Sequence, residues 1–373
     1  MADEGVLETV ARIPVDVIQA FMVDVFEAQG VSPEDARICA DVLIASDLRG
    51  IESHGVGRLK YYYDRIQAGI QFPAAQMEII KESETTALVD AHHGMGHPTA
   101  YKSMKLAIEK ARAHGIGGVA VRNATHFGIA GYYPLMAAEA GMVGLAFTNA
   151  RPSIAPTFGT EPMLGTNPIA FAAPSDLEYP FCFDGATSIC QRGKVEVAAR
   201  AEKLIPEGWV IDAEDNVMTD PNAILEALPD FQAALLPLGG KGEMFAGYKG
   251  YGLATMVEIF SSALSGGPFM KDLLGFDADG AKRPHMLGHF FLAIDIEHFV
   301  PLSLFKQIVG SMIGELQGAR KAPGEERIYV AGEKEYEKQR GIRQAGIPVN
   351  ANLKRTLQWM RDTLQVEGYE AHF

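Results

Sequence analysis

The chain has 373 residues, 47% of them hydrophobic and 21% charged, enough for a large buried core in two or three domains. Its 47 acidic residues against 33 basic ones give a formal charge of −14, which excludes a broad basic face for nucleic acid or anionic lipid. Cys39, Cys182 and Cys190 make no disulfide framework. The N-terminus lacks a secretory pattern, and no segment reaches the uncharged apolar length of a membrane span. The expectation is a soluble, cytoplasmic globular protein.

Residues 14–29 carry apolar side chains at 15, 18, 22, 25 and 26 and stop at Gly30, which predicts an amphipathic helix. Ser32, Pro33, Glu34 and Asp35 restart a helix that runs to Leu48 and ends at Gly50. After Gly69 the pattern changes. Residues 85–90 read as a strand, 91–97 as a loop rich in glycine and histidine, and 98–114 as a helix closed by Gly115. A buried strand at 118–122, a loop at 123–128, a helix to Ala140 and an apolar strand at 143–148 follow. This middle region reads as α/β. Short apolar runs at 168–173 and 181–183 predict further strands, and 199–229 reads as loop-rich, with turn signals at 205–209 and 219–221. Beyond these come a long apolar helix to Leu264, a strand at 289–296, and helices at 302–316, 331–346 and 353–364.

The densest chemistry lies in residues 48–63, where Ser53, His54, Arg58 and Tyr62 fall within ten positions. Ser53 is expected to cap a helix that places His54, Arg58 and Tyr62 on one face at i, i+4 and i+8. A histidine that moves a proton beside an arginine that holds a carboxylate suits a 2-hydroxy acid dehydrogenase. The competing reading is a solvated amphipathic helix. His126 stands in a loop between a buried strand and a helix, where α/β proteins place ligand-binding groups. Residues 184–188 could present amides and a carboxylate to a ribose or form a plain Asx-type turn. Tyr248 and Lys249, among the glycines that open a helix, suit a phosphate.

No Gly-x-Gly-x-x-Gly and no Gly-x-x-x-x-Gly-Lys-Ser/Thr occurs, so a standard dinucleotide fingerprint is absent. His92, His93 and His97, and the pair His285 and His289, lack accompanying cysteines or a His-Glu-x-x-His pattern, so they read as surface or loop histidines and no metal is expected. A metal-dependent hydrolase built on them and a non-catalytic binding protein are the rival classes.

Asp47-Leu48-Arg49-Gly50-Ile51-Glu52-Ser53-His54-Gly55-Val56 with Arg58-Leu59 resembles the signature of the type 2 malate/L-lactate dehydrogenases. That superfamily also holds ureidoglycolate and sulfolactate dehydrogenases, diketogulonate reductases and Δ1-piperideine-2-carboxylate reductases. Matching pieces follow in the same order: residues 123–128, 165–168, 184–188, 205–209, 236–240 and 247–253. The resemblance spans roughly residues 14 to 350, and the co-linearity of many pieces is far more specific than any one of them.

It implies a non-Rossmann α/β fold with a mixed-sheet, NAD(P)-binding core at 76–301. A helical region at 1–75 would pack with C-terminal helices at 302–373. It also implies a homodimer that moves a hydride between NAD or NADP and C2 of a small 2-hydroxy or 2-oxo acid, with malate or L-lactate foremost and a cyclic imine carboxylate next. By the same resemblance His54 and His126 carry the acid/base role, with His54 favoured because Ser53 can orient it, and Arg58 holds the substrate carboxylate, with Ser53 and Tyr62 beside it. Pro180, Phe181, Cys182, Phe183, Asp184, Gly185, Ala186, Tyr248, Lys249, Gly324, Glu325 and Glu326 match stretches that contact the dinucleotide. Asn149, Thr166, Asn167 and Pro168 line the same cleft. The family often carries methionine where Gly185 stands, and Pro323-Gly324-Glu325-Glu326 places Arg327 one position late.

Overall fold

Glycine punctuation sets the N-terminal helices. The computed structural model describes residues 11–277 and 279–373, and its first helix, Val15–Ala28, buries Ile18, Phe21, Met22, Val25 and Phe26 on one stripe. Gly30 leaves that helix with a φ of +89°, the left-handed conformation that glycine adopts without steric cost. Ser32 then caps the helix Pro33–Leu48 by accepting from the Asp35 amide at 3.3 Å. These helices and Leu59–Gln67 share a core with the C-terminal residues Leu357, Met360, Tyr369 and Phe373. Phe21 meets Tyr369 and Phe373 edge-on, with ring centroids 5.1 and 4.6 Å away. A two-stranded ribbon, Ala11–Ile13 with Ile347–Val349, ties the two ends of the chain together.

The centre is a seven-stranded mixed sheet. Its spatial order is Glu78–Glu82, Thr86–Asp90, Ile116–Ala124, Leu287–Asp295, Met142–Thr148, Ile169–Ala173 and Phe181–Gly185. Only the Thr86–Asp90/Ile116–Ala124 pair is parallel. A strand from residue 287 onward, inserted between two neighbours from the first half of the chain, rules out a doubly wound parallel sheet. The helix Gly96–His114 packs on one face through Met104, Ala107 and Ala111 against Val119, Val121 and Phe291. Val257 of the helix Gly247–Glu258 and Phe260 of the π-helical turn Ile259–Ala263 cover Phe147 and Phe290 on the other face. The predicted long helix to Leu264 therefore changes winding at Glu258.

The stretch predicted to be mostly loop at 199–229 is instead part of a small folded unit. Helices Arg192–Arg200 and Pro221–Ala227 flank a three-stranded sheet of Ala233–Leu235, Val210–Asp212 and Val217–Met218. Val195, Val210, Ile224 and Leu235 form its core. Its strands have two or three residues each, and Val195 is the one buried residue of its first helix, so neither period of hydrophobicity could emerge. Thr219-Asp220-Pro221, read as a turn, starts a helix, since Asp220 accepts from the Asn222 amide at 2.9 Å.

Gly117 marks the closest approach of helix to sheet. A Cβ there would lie 2.0 Å from the carbonyl oxygen of Ala107 and 2.8 Å from the Ala111 nitrogen. Gly117→Ala should therefore push the helix Gly96–His114 off the sheet and destabilise the protein by about 1–3 kcal/mol. A urea melt checks this, and an unchanged midpoint would contradict the packing.

Candidate active site

The site begins where Asp47 holds a tight bend. Its carboxylate accepts from the Val56 amide at 2.7 Å, and burial pushes its pKa up to about 7. Around that anchor residues 52–58 wind as two 3-10 turns, Glu52–His54 and Val56–Arg58, and the α-helix starts only at Leu59. The expected Ser53 N-cap is thus corrected: Arg58 occupies the capping position without a side-chain bond. Asp47, fixed in the preceding helix, captures an amide that a continuous helix would have used. Ser53 instead places its hydroxyl 2.8 Å from His54 Nδ1. Arg58 Nε donates to the Ser53 carbonyl at 2.7 Å, and no carboxylate pairs with Arg58 among the described residues.

His126 arrives from the sheet, in the loop after the strand Ile116–Ala124. Its ring stacks on His54 with centroids 5.4 Å apart and planes inclined by 26°. Its Nδ1 lies 2.7 Å from the Tyr62 hydroxyl and accepts from the Gly128 amide at 3.3 Å. Both rings stay neutral at working pH. Burial, then the Arg58 charge, lowers the His54 pKa to about 4, and burial followed by His54 and His97 holds His126 well below the usual imidazole range.

The two histidines, Ser53 and Arg58 line one cavity of about 300 Å³, together with Asn149, Thr166, Pro168, Asp184 and Ala186. This volume is at the lower end of ligand pockets. A smaller cavity of about 130 Å³ continues from it, sharing Ile51, Ile129 and Asp184, and reaches Arg49, Cys182, Phe183, Gly332 and Glu335. The result is an elongated cleft. Asp184 sits at its waist, bonded to the Gly131 amide at 2.7 Å, with a pKa pushed up to about 6 by burial.

Other expected residues lie off the walls. Tyr62 is fully buried behind His126 rather than beside a substrate. Asn167 stands in a second layer, donating to Glu258 at 2.8 Å and to the Ala254 carbonyl at 3.0 Å. Pro180, Phe181 and Gly185 line neither cavity. The Phe183 ring lies over Gly185, where a Cβ would come within 2.7 Å of it, so this chain fills with an aromatic ring the space that a side chain at 185 would take. Tyr248 and Lys249 are exposed at a helix start, and Gly324, Glu325 and Glu326 form an exposed turn, all away from both cavities.

Sequence reasoning missed four groups. His97, expected at the surface or in a loop, is fully buried in the first turn of a helix and bonds Tyr62 at 3.1 Å. His289, read the same way, is buried in a central strand between Thr148 Oγ1 at 2.7 Å and the Thr125 carbonyl at 3.2 Å. Glu258, buried in an apolar helix, accepts from Asn167 and from the Met270 amide at 2.9 Å. A lone acid between Val257 and Ile259 was the available signal. Arg192, on the cavity wall, opens the helix Arg192–Arg200, just before the stretch expected to be loop-rich.

The donor set suits a nicotinamide dinucleotide with a small acid. Neutral imidazoles and a free guanidinium crowd one end of the cleft, and Asp184, open to the cleft, offers an acceptor to ribose or amide at its waist. The sequence model of the malate/L-lactate dehydrogenase family matches residues 13–358. The chain belongs to the malate/L-lactate dehydrogenase family. It is 46% identical over 361 residues to a malate dehydrogenase of Pyrococcus horikoshii, covering 97% of this chain and 98% of that one. A malate/(S)-sulfolactate dehydrogenase of Methanothermus fervidus is 37% identical over 352 residues, covering 94% and 97%. The crystal structure of malate dehydrogenase from Entamoeba histolytica matches the fold with a TM-score of 0.93 at 42% identity, covering 96% of this chain and 99% of that one. Membership of this malate/L-lactate dehydrogenase family makes the protein an oxidoreductase of 2-hydroxy acids that uses a nicotinamide cofactor.

The buried histidines make stability depend on pH with a definite sign. Burial holds His97 down to about 3, and His54 and His289 to about 4. Unfolded histidines take up protons near 6.5, so the stability present above that pH is lost as pH falls toward these folded values. His97→Gln removes one such group and should make the slope between pH 6 and 4 shallower by up to about 1.4 kcal/mol per pH unit. Urea unfolding of both proteins across that window is the check. Equal slopes would mean that His97 titrates normally.

Proposed function

We propose that the enzyme interconverts malate and oxaloacetate with NAD or NADP, as a cytoplasmic homodimer. The support is the meeting of His54, His126 and Arg58 in one cavity. When bound, the nicotinamide supplies or accepts the hydride at its C4. The chain does the rest. Arg58, with Nε tied to the Ser53 carbonyl, offers its remaining N–H groups to the C1 carboxylate. His54, oriented by Ser53, takes the C2 hydroxyl proton in oxidation and returns it in reduction. His126 donates a hydrogen bond to the C2 oxygen. Arg192, whose Nε donates to Glu196 at 2.9 Å, brings its other N–H groups to the wall, which favours a substrate with an anion at its far end over L-lactate, whose methyl group gives them no ligand. Sulfolactate keeps that anion and is the second reading.

Two further observations support the assembly and the compartment. Leu304, Ile308, Met312 and Leu316 are exposed at four-residue intervals along the helix Leu302–Gly318, a stripe suited to a second copy. All three cysteines are free and buried, as suits a reducing compartment.

NADH and NADPH, each offered with oxaloacetate and with pyruvate, test the reading by absorbance of the reduced nicotinamide. Oxaloacetate should be the better substrate, and silence in all four mixtures would overturn the proposal. His54→Ala should lower kcat by about 10²–10⁴-fold, and Arg192→Gln should raise KM for oxaloacetate more than for pyruvate. Near-normal turnover in His54→Ala with none in His126→Ala would exchange the two histidines. The double change Ile308→Glu with Met312→Glu should convert a dimer to a monomer in sedimentation velocity. A wild type that sediments as a monomer would remove the dimer.

A further inference from the structure

We propose that Tyr62 and His97 form a buried clamp that fixes the tautomer of His126, so that His126 presents an N–H, and never a lone pair, to the substrate oxygen. The inference rests on the placement of His126 beside the substrate and adds a cause for its role. Three contacts carry it. The Gly128 amide donates to His126 Nδ1 at 3.3 Å, so that nitrogen bears no hydrogen. The Tyr62 hydroxyl lies 2.7 Å from the same nitrogen and must then be the donor, because two acceptors do not bond. With its one hydrogen committed, the Tyr62 oxygen accepts from His97 Nε2 at 3.1 Å.

The remaining atoms agree with this assignment. His97 Nδ1 is buried with no partner. In the assigned state it is a bare lone pair, whereas the reverse arrangement would orphan an N–H, and orphaned buried donors are the rarer defect. His97 and Tyr62 are both fully buried, so water does not scramble the chain of bonds. The only ring nitrogen of His126 left for the cavity is Nε2, which carries the hydrogen.

The consequence is chemical. An Nε2 that already holds a hydrogen cannot accept the C2 hydroxyl proton. Nor can it give its own proton away, since that would leave an imidazolate unless Tyr62 and His97 passed protons along behind it. That transfer would end with an anion on His97, in a site where burial disfavours charge. His126 is therefore a fixed dipole that polarises the oxygen, and the net proton moves at His54. Tyr62 and His97 are positioning residues and touch no substrate.

Enzyme labelled with 15N-histidine tests the clamp without turnover. The His126 resonances, assigned by their loss in His126→Gln, should show an unprotonated Nδ1 and a protonated Nε2. Tyr62→Phe, which keeps the ring and removes the donor, should yield a mixture of tautomers and lower kcat about tenfold at unchanged KM for oxaloacetate. His97→Leu should act in the same direction. His97→Gln, whose amide can donate to the Tyr62 oxygen, should restore both the spectrum and kcat. A protonated Nδ1 in the wild type overturns the clamp, as does a single unchanged tautomer with full kcat in Tyr62→Phe. An enzyme inactive on every oxo acid yet carrying the expected tautomer would sink the proposed reaction and leave the clamp standing.

Discussion

The 2.7 Å contact between Tyr62 and His126 joins the helical layer to the sheet at the candidate active site. Tyr62 belongs to the helical layer built from the two ends of the chain, and His126 to a loop of the mixed sheet. The active cavity is the seam between these layers. Its geometry depends on how firmly they are held together, because His54 comes from one side and His126 from the other. Burial makes the joint strong. A hydrogen bond that would be worth little in water becomes costly to break when one partner, here the fully buried Tyr62 hydroxyl, cannot reach solvent. The same burial strips both imidazoles of charge, so the cations of the cavity wall are arginines.

The opposite wall is held by a different device. Glu258 gathers the Asn167 amide and the Met270 amide around one buried carboxylate. Asn149 is fixed beside it by Ser262 at 2.7 Å and by the Gly288 amide at 2.9 Å. Asn167 takes a φ of +33° and also receives the Ala150 amide at 3.2 Å. The residues that face the cleft are thus fixed by a layer that does not. The Glu258 carboxyl oxygens are held by fixed N–H donors of the surrounding chain. That arrangement holds the backbone of 149–150 and 166–168 in place without adding a mobile charge to the cavity.

Much of this was legible in sequence, for identifiable reasons. Helices such as Val15–Ala28 and Pro33–Leu48 were readable because a long apolar period and a cap or glycine agree at both ends. His54, His126 and Arg58 were readable because their residue types and neighbours carry chemistry. What failed to show depends on pairing across the chain. Ala11–Ile13 is a strand because Ile347–Val349 lies beside it, and three residues contain no period. Glu78–Glu82 is exposed throughout and charged, an edge strand whose composition guards against further pairing. Ser53 was read as a cap because Asp47, six residues earlier, gave no sign of taking the Val56 amide. His97 and Glu258 are polar residues whose purpose is a partner tens of residues away, and no local pattern announces such a partner.

The charge balance of the site bears on how the proposed base, His54, could work with a low resting pKa. The whole chain is strongly acidic, yet the cavity wall carries Arg58 and Arg192 with no charged imidazole. After burial, the Arg58 guanidinium is the group that holds the His54 pKa down. A substrate carboxylate seated on Arg58, as proposed, would cancel that repulsion and add a negative charge of its own, and both changes would raise the proton affinity of His54. On the proposed mechanism His54 would therefore become an adequate base only once the acid is in place. In the empty site the His54 imidazole is neutral and of low basicity, and the charge on the wall is that of the arginines. The proposed mechanism thus couples binding and basicity through one arginine, with the hydrogen-bond dipole proposed for His126 beside them.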